Sequence, residues 1–252
     1  MTQPLHPVIM LWAPPRSLST AFLRVMAARG DLEVLHEPMC DLAAGERHEL
    51  PTGEFLDSVA QLCAHVDARR AVRPVFVKET CEYDYRPTLS GTQLAREATH
   101  VFMLREPARV INSHYSVNPQ LRSDDVGFRH LASLLDFVKA HGRQIPVFVD
   151  AERLQVAPEC EIAAFCSRVG LTHIPGSLTW QPGHLNLWRR TQRWHEDAAA
   201  SSRIEFRERE YTTRVDNDPR LRKMYEENLP FYRYLKQACE NQPLPRTVQA
   251  VP

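Results

Sequence analysis

Five short apolar runs recur along the chain and constrain its fold more than any other feature. They are VIMLW at 8–12, LEVL at 32–35, PVFV at 74–77, HVFML at 100–104 and PVFVD at 146–150. Because these runs are nearly continuous rather than alternating, they are typical of strands buried on both faces. Such strands occur in parallel sheets covered by helices, so the sequence predicts an α/β fold with a parallel β-sheet flanked by helices.

The segments between these runs carry the spacing of amphipathic helices. After the first run, Phe22, Val25 and Met26 fall three and four residues apart, and Gly30 follows as a helix C-cap. Further helices are expected at residues 53–70, after Pro107, at residues 158–170, and at residues 220–240 with an interruption at Pro230.

The 252 residues suit one large α/β domain, and no internal repeat or low-complexity linker divides them. We therefore expect a single domain over 1–252, with its core at about 6–240 and a frayed carboxyl-terminal tail. Residues 180–202 are rich in Trp, Arg and His but lack periodicity. This composition predicts a long functional loop rather than a second domain.

Charge and composition narrow the classes of partner. Lys plus Arg and Asp plus Glu number 31 each, so no overall field would attract nucleic acid or an anionic membrane surface. The apolar run at 8–13 is too short for a signal peptide or a membrane span. The cysteines show no CxxC pair and the histidines no zinc-binding spacing. We expect a cytoplasmic protein with reduced thiols, no metal, no nucleic-acid partner and no membrane association; its oligomeric state stays open.

The loop after the first run, WAPPRSLSTAF at 12–22, has the features of an anion site. In an open parallel sheet, ligands bind beyond the carboxyl ends of the strands, where helix N-termini present free N–H groups. Arg16 offers a planar guanidinium, and Ser17, Ser19 and Thr20 offer hydroxyls. The same residues also fit a proline-stiffened turn with a serine N-cap. The loop lacks the GxxxxGKS/T pattern of nucleotide-triphosphate P-loops, which disfavours an ATP site.

PRSLST at 15–20 resembles the 5′-phosphosulfate loop of sulfotransferases that use 3′-phosphoadenosine 5′-phosphosulfate (PAPS), which commonly reads P-K/R-S-G-S/T-T. Arg16 stands at the basic position, and Leu18 stands where glycine is usual. This loop is the first of two motifs that carry the resemblance.

The second motif of that family is R-x-P followed by a helix with a serine eight positions after the arginine. This chain has Arg105, Pro107 and Ser113 at that spacing, directly after the fourth apolar run. Ser113 would lie about two helical turns, roughly 9 Å, beyond the strand end. With weaker similarities further along, the resemblance covers most of residues 8–236.

The resemblance implies a P-loop NTPase-like sulfotransferase fold and transfer of a sulfuryl group from PAPS to a hydroxyl or amine of a small-molecule acceptor, leaving 3′-phosphoadenosine 5′-phosphate (PAP). It places Arg16 at the phosphosulfate, and Lys78 at the sulfuryl group unless Lys78 is simply a solvated strand end. The residues implied in donor binding are Arg16, Ser17, Leu18, Ser19, Thr20, Ala21, Arg105, Ser113, Arg193, Trp194 and His195.

The late loop is where the family closes over its nucleotide. Arg189, Arg190, Arg193 and His195 would supply positive charge. Trp188 and Trp194 would stack on adenine or on the acceptor. Alternatively, the tryptophans are core anchors and the arginines form a solvated face.

The general base is not at its usual place in this sequence. Many family members carry a histidine two positions after the strand lysine, where this chain has Thr80. The branch that acts on tyrosine uses a glutamate at the end of the second strand, which corresponds to Glu37 in VLHEP. We therefore favour Glu37 as the base, with His36 as the alternative. Because neighbouring strand residues point to opposite faces, we expect only one of the two to reach the acceptor.

Two other functions fit parts of the sequence. PVFVD resembles a Walker B strand ending in Asp150, which would suit an NTP-dependent kinase or other phosphotransferase, although the matching P-loop glycines and lysine are missing. A catalytically silent nucleotide-binding protein of the sulfotransferase fold is the other alternative. The identity of the acceptor cannot be read from loop side chains.

Overall fold

A computed structural model describes residues 5–188, 191–206 and 209–243. The strands are β1 (Val8–Ala13), β2 (Glu33–His36), β3 (His48–Glu49), β4 (Phe55–Leu56), β5 (Val75–Thr80), β6 (Thr99–Leu104) and β7 (Val147–Asp150). The helices are α1 (Ser19–Ala28), α2 (Pro38–Ala43), α3 (Val59–Arg70), α4 (Arg86–Leu89), α5 (Gln93–Glu97), α6 (Pro107–Tyr115), α7 (Phe128–His141), α8 (Ala151–Val156), α9 (Pro158–Val169), α10 (Glu196–Ala199) and α11 (Pro219–Glu240).

The five apolar runs form one parallel sheet in the order β2-β5-β1-β6-β7, which confirms the α/β prediction. β1 lies in the centre and pairs with β5 on one side and β6 on the other. The chain runs from β1 to β2 and β5 on one side of the central strand, and then crosses to β6 and β7 on the other side. A crevice opens at the carboxyl end of such a central strand, and open α/β sheets bind their ligands there.

Every residue of β1 is buried, because helices cover both faces of the sheet. Met10 and Trp12 face a core built with α3, α6, α7 and α11. Ile9 and Leu11 face a second core built with α1 and α9. This double burial is the physical reason that the strands read as continuous apolar runs.

Two helix predictions need correction. The helix predicted for 53–70 begins only at Val59, after Ser58 caps it through its hydroxyl, because Phe55–Leu56 pairs with His48–Glu49 in a small antiparallel hairpin. The interruption predicted at Pro230 is wrong, because α11 continues through this proline. A long helix packed against α6 and α7 tolerates the loss of one backbone hydrogen bond.

The segment predicted as a loop at 180–202 contains short 3-10 turns at Asn186–Trp188 and Gln192–Trp194, followed by α10. The predicted frayed tail lies largely outside the described residues, which end at 243. All six cysteines are free thiols. Among the described helices, none combines the length and the apolar character that crossing a bilayer requires.

Candidate active site

The loop between β1 and α1 has an unusual backbone conformation. Arg16 and Leu18 both adopt left-handed φ values, 65° and 68°. Leu18 directly precedes α1 and makes no side-chain capping bond. A glycine would adopt this conformation without steric cost, which explains why the sulfotransferase loop motif usually has glycine there. In this chain a leucine carries the same backbone shape.

The start of α1 faces the crevice. Leu18, Ser19, Thr20 and Ala21 line the cavity beyond β1. The first amides of a helix have no partner within the helix, so they are available to an anion. Ser17 behaves differently, because its side chain is fully buried and its Oγ has no hydrogen-bond partner among the described residues.

Arg16 makes three contacts that join distant parts of the chain. Its Nε donates to Ser113 Oγ on α6 at 3.1 Å. Its Nη1 donates to the carbonyl of Trp194 at 2.6 Å, and its Nη2 lies 3.0 Å from Asp197 Oδ2. The guanidinium therefore lies where α6 and the late segment meet the first loop.

Arg105 follows β6 and reaches the same place. Its Nη1 donates to the carbonyl of Arg16 at 2.6 Å. Its Nε is buried and has no partner in the described parts of the chain. Burial lowers the pKa of Arg105, with smaller effects from neighbouring charges that include Arg16. Arg16 thus forms one polar cluster with Arg105 and Ser113, which come from a distant part of the sequence.

Glu37 lies on the other side of β1, next to Lys78. It directly follows β2 with a left-handed φ of 59°, and its carboxylate pairs with the buried Lys78 ammonium near the end of β5. His36 Nδ1 lies 3.8 Å from Glu37 Oε2. The premise that Glu37 and His36 point to opposite faces is wrong, because Glu37 has already left the strand. Glu37 nevertheless lines the larger cavity and His36 only a small adjacent one.

Glu79 binds the backbone that follows Glu37, and the sequence analysis did not predict this role. It is fully buried, and its carboxylate accepts from the backbone N–H groups of Met39 and Cys40 at 2.7 and 3.1 Å. Burial raises the pKa of Glu79 well above its usual value. By binding the first turn of α2, Glu79 fixes the backbone directly after Glu37. The sequence feature that could have indicated this role is the position of Glu79 next to Lys78, at the end of an apolar run.

The late segment covers the loop. His195 is buried, its Nδ1 lies 3.2 Å from Thr20 Oγ1, and its Nε2 lies 3.0 Å from Thr191 Oγ1. Burial, and then the proximity of His36, lowers the pKa of His195 to about 2, so this ring is neutral. His195 therefore provides hydrogen bonds rather than the predicted positive charge.

The tryptophans of this segment differ. Trp188 is fully buried in the core, so the core-anchor alternative is the right one for it. Trp194 lines the cavity, with its ring edge-on to His114. Arg193 stacks over the Trp194 ring at 5.0 Å and is not among the cavity-lining residues. Arg189 and Arg190 lie outside the described residues.

These groups surround one cavity of about 290 Å³ with two chemically different ends. We call Arg16, Arg105 and Ser113, beyond β1 and β6, the arginine end. We call Glu37, Cys40, Lys78, Thr80 and Glu82, beyond β2 and β5, the acidic end. Of these, Thr80 and Glu82 were not among the predicted site residues, because neither belongs to the two motifs.

His36, Glu37 and His195 bring three potential metal-ligand atoms within 4.8 Å of one another. Glu37 pairs with Lys78, and both His195 nitrogens contact threonine hydroxyls, whereas His36 Nε2 is buried without a hydrogen-bond partner among the described residues. The arrangement serves hydrogen bonding, and we assign no metal to it.

A family profile described as a sulfotransferase domain matches residues 8–239. The chain belongs to this sulfotransferase family. Two curated relatives from Arabidopsis thaliana are named branched-chain-amino-acid aminotransferase-like proteins 2 and 1. The first is 26% identical over 72% of this chain and 34% of its own length, and the second is 25% identical over 70% and 32%. The sulfotransferase chain thus spans about a third of the length of these relatives.

Solved structures share the fold. The sulfotransferase domain of the curacin biosynthetic pathway superposes with a TM-score of 0.52 at 15% identity, covering 81% of this chain and 85% of that one. The sulfotransferase domain of the Synechococcus PCC 7002 olefin synthase gives 0.54 at 14%, covering 93% and 96%. Mouse sulfotransferase SULT7A1 complexed with PAP gives 0.53 at 12%, covering 94% and 89%. These structures show that the chain has the P-loop-like sulfotransferase fold.

Proposed function

We propose that this sulfotransferase moves a sulfuryl group from PAPS to a hydroxyl or amine of a small molecule. The observation that carries the proposal is the convergence of Arg16, Arg105 and Ser113 at the carboxyl end of the central strand. Two sequence motifs separated by about ninety residues meet there through direct hydrogen bonds. If the first loop were only a proline-stiffened turn with a serine N-cap, these hydrogen bonds between the two motifs would not be needed.

The residues at the arginine end fit such a donor. Arg16 and the first amides of α1 would hold the phosphosulfate, and Arg105 and Ser113 the 3′-phosphate. The buried Arg105 Nε without a partner supports this assignment, because a buried donor left unpaired costs about 1–3 kcal/mol. The bound donor would supply the sulfuryl group, whose bond to the leaving 5′-phosphate breaks as the bond to the acceptor atom forms.

The acidic end would handle the acceptor proton. Glu37 accepts the proton of the attacking hydroxyl or amine, which is the role of a general base. The Lys78 ammonium pairs with Glu37 and would stabilise negative charge on the reacting group. Glu79, which binds the amides of α2, positions Glu37 without touching the acceptor.

Calorimetry with PAP and with AMP tests the donor. We expect PAP to bind more tightly than AMP, and Arg105→Ala or Ser113→Ala to remove most of that difference, about 10- to 100-fold. Arg109→Ala and Ser116→Ala are matched controls, because both residues are exposed on or just after α6. Equal affinities for PAP and AMP in the unaltered protein would contradict the proposal.

Turnover separates the remaining alternatives. Release of PAP from PAPS with formation of a sulfated acceptor supports the enzyme. Tight PAP binding without sulfation of any acceptor would indicate a catalytically silent nucleotide-binding protein. Magnesium-dependent ATP turnover would indicate a phosphotransferase.

A further inference from the structure

The charges at the acidic end of the cavity do not balance. Glu37 is paired with Lys78, the cation at this end. Glu82 also lines the cavity, and its carboxylate accepts a hydrogen bond from the Thr80 hydroxyl at 3.2 Å. Among residues 5–188, 191–206 and 209–243, no cationic side chain forms an ion pair with Glu82. One carboxylate is therefore left without a counter-charge.

Other acidic groups around Glu82 have partners. The fully buried Glu79 binds two backbone amides, and Asp125 forms an ion pair with Arg122. Glu82 is only partly buried, and its carboxylate has access to the cavity. Glu82 therefore differs from these neighbouring acidic residues in lacking a partner for its charge.

A second polar group in the cavity wall also lacks a partner. His114 on α6 is 1% exposed and lines the cavity, and its Nδ1 has no hydrogen-bond partner in the described residues. Burial, followed by the charge of Arg16, lowers the pKa of His114 to about 4. The ring is neutral at pH 7, so it supplies a hydrogen-bonding nitrogen and no charge to balance Glu82.

We propose that the acceptor is a small amine that also carries an alcohol or phenol hydroxyl. Its protonated amine binds Glu82, and its hydroxyl lies at Glu37 and receives the sulfuryl group. This inference rests on the proposed function and narrows its acceptor class. A carboxylate removed from water is unfavourable unless a cation pairs with it, and a ligand ammonium supplies that cation. A protonated amine has no lone pair with which to attack sulfur, so the hydroxyl is the nucleophile.

The ionisation of Glu82 agrees with this assignment. Burial, and next the charge of Glu37, raises the pKa of Glu82 to about 7. A ligand cation beside the carboxyl group favours its ionised form and so would reverse this shift. A neutral or anionic acceptor would leave the shift unchanged or increase it.

Matched pairs of acceptors that differ in charge provide the test. Tyramine and para-propylphenol share nearly the same shape, as do ethanolamine and propanol. We expect the ammonium member of each pair to bind at least about tenfold more tightly by calorimetry, both with PAP and without it, and to have the larger kcat/KM for sulfation. Glu82→Gln should abolish this preference, and Glu82→Lys should transfer it to para-hydroxyphenylpropionate.

Glu226→Gln is the matched control, because Glu226 is exposed on α11 and is not among the cavity-lining residues. Equal binding of the two members, no detectable ammonium binding, or a preference that survives Glu82→Gln would overturn the inference. Failure of PAP to bind would count against the proposed donor instead, because ammonium preference is also measured without nucleotide. Circular dichroism of each variant verifies that it is folded.

Discussion

The two ends of the cavity have opposite chemistry although the chain as a whole has no net charge. The arginine end combines two guanidinium groups with the N-terminus of α1, all of which favour anions. The acidic end has two carboxylates and one ammonium. The difference teaches that binding specificity here comes from local segregation of charge, which a balanced overall composition conceals.

Both ends share one structural device. Among the described residues, the three non-glycine positions with positive φ are Arg16, Leu18 and Glu37, which lie in the loops that follow β1 and β2. Left-handed backbone costs a non-glycine residue about 1–2 kcal/mol. Strain of this kind concentrates at functional sites, where the surrounding structure must hold it.

Removal of the proposed base should have the largest effect of the substitutions considered, and it should affect the acidic end alone. Glu37→Gln should lower kcat by about 10²–10⁴-fold, the usual contribution of a general base, while PAP affinity at the arginine end stays nearly unchanged. Steady-state kinetics and calorimetry measure the two effects separately. Unchanged turnover in Glu37→Gln together with lost turnover in His36→Gln would move the role to His36.

Glu82→Gln should change how the stability of the protein depends on pH. The folded-state pKa of Glu82 is raised from 4.5 to about 7, chiefly by burial and then by Glu37, with Lys78 opposing and Asp125 adding slightly. The folded protein therefore binds the proton more tightly than the unfolded chain, and stability falls as pH rises from about 4.5 to 7.

Above pH 7 the substitution removes this penalty, so Glu82→Gln should raise the free energy of unfolding by up to about 3 kcal/mol at pH 8 and by little at pH 4. Urea unfolding at both pH values measures the difference. A variant that is less stable than the unaltered protein at pH 8 would show that Glu82 does not carry an unpaired charge.

Leu18 allows the strain at the arginine end to be measured. Leu18→Val places a β-branched side chain at a positive φ and should cost about 1–2 kcal/mol, whereas Leu18→Gly should change stability by less than about 1 kcal/mol. Leu5→Val, at an exposed position near the first strand, is the control for the change in side chain. If Val is tolerated as well as Gly in thermal unfolding, the left-handed conformation of Leu18 is wrong.

At the arginine end, substitution of Asp197 should have the smallest effect of the predicted changes. Its half-exposed carboxylate pairs with Arg16 and Arg209, so it competes with an incoming anion. Asp197→Asn should tighten PAP binding by a few-fold, because exposed ion pairs contribute about 1 kcal/mol or less. Asp216→Asn, which affects an exposed pair with Arg214, is the calorimetric control. Weaker PAP binding in Asp197→Asn would show that this carboxylate supports the site.

The arginine end was easier to predict than the acidic end. Arg16, Arg105 and Ser113 belong to two motifs whose residues follow strands, so their position relative to the sheet can be inferred locally. Glu79 and Glu82 follow no motif, and their roles depend on partners from α2 and Thr80. The relative orientation of the Glu37 and His36 side chains was predicted wrongly, because it depends on the positive φ of Glu37, which the sequence pattern does not specify.

The sequence by itself determined the five strands and the parallel α/β fold, because burial on both faces leaves a local pattern. It also carries two motifs that resemble those of sulfotransferases. Tertiary structure alone decided which side chains share the cavity, which rings are neutral and which carboxylate lacks a partner. Those properties depend on distances between strand ends and on exclusion of water, and both arise only when the sheet is assembled.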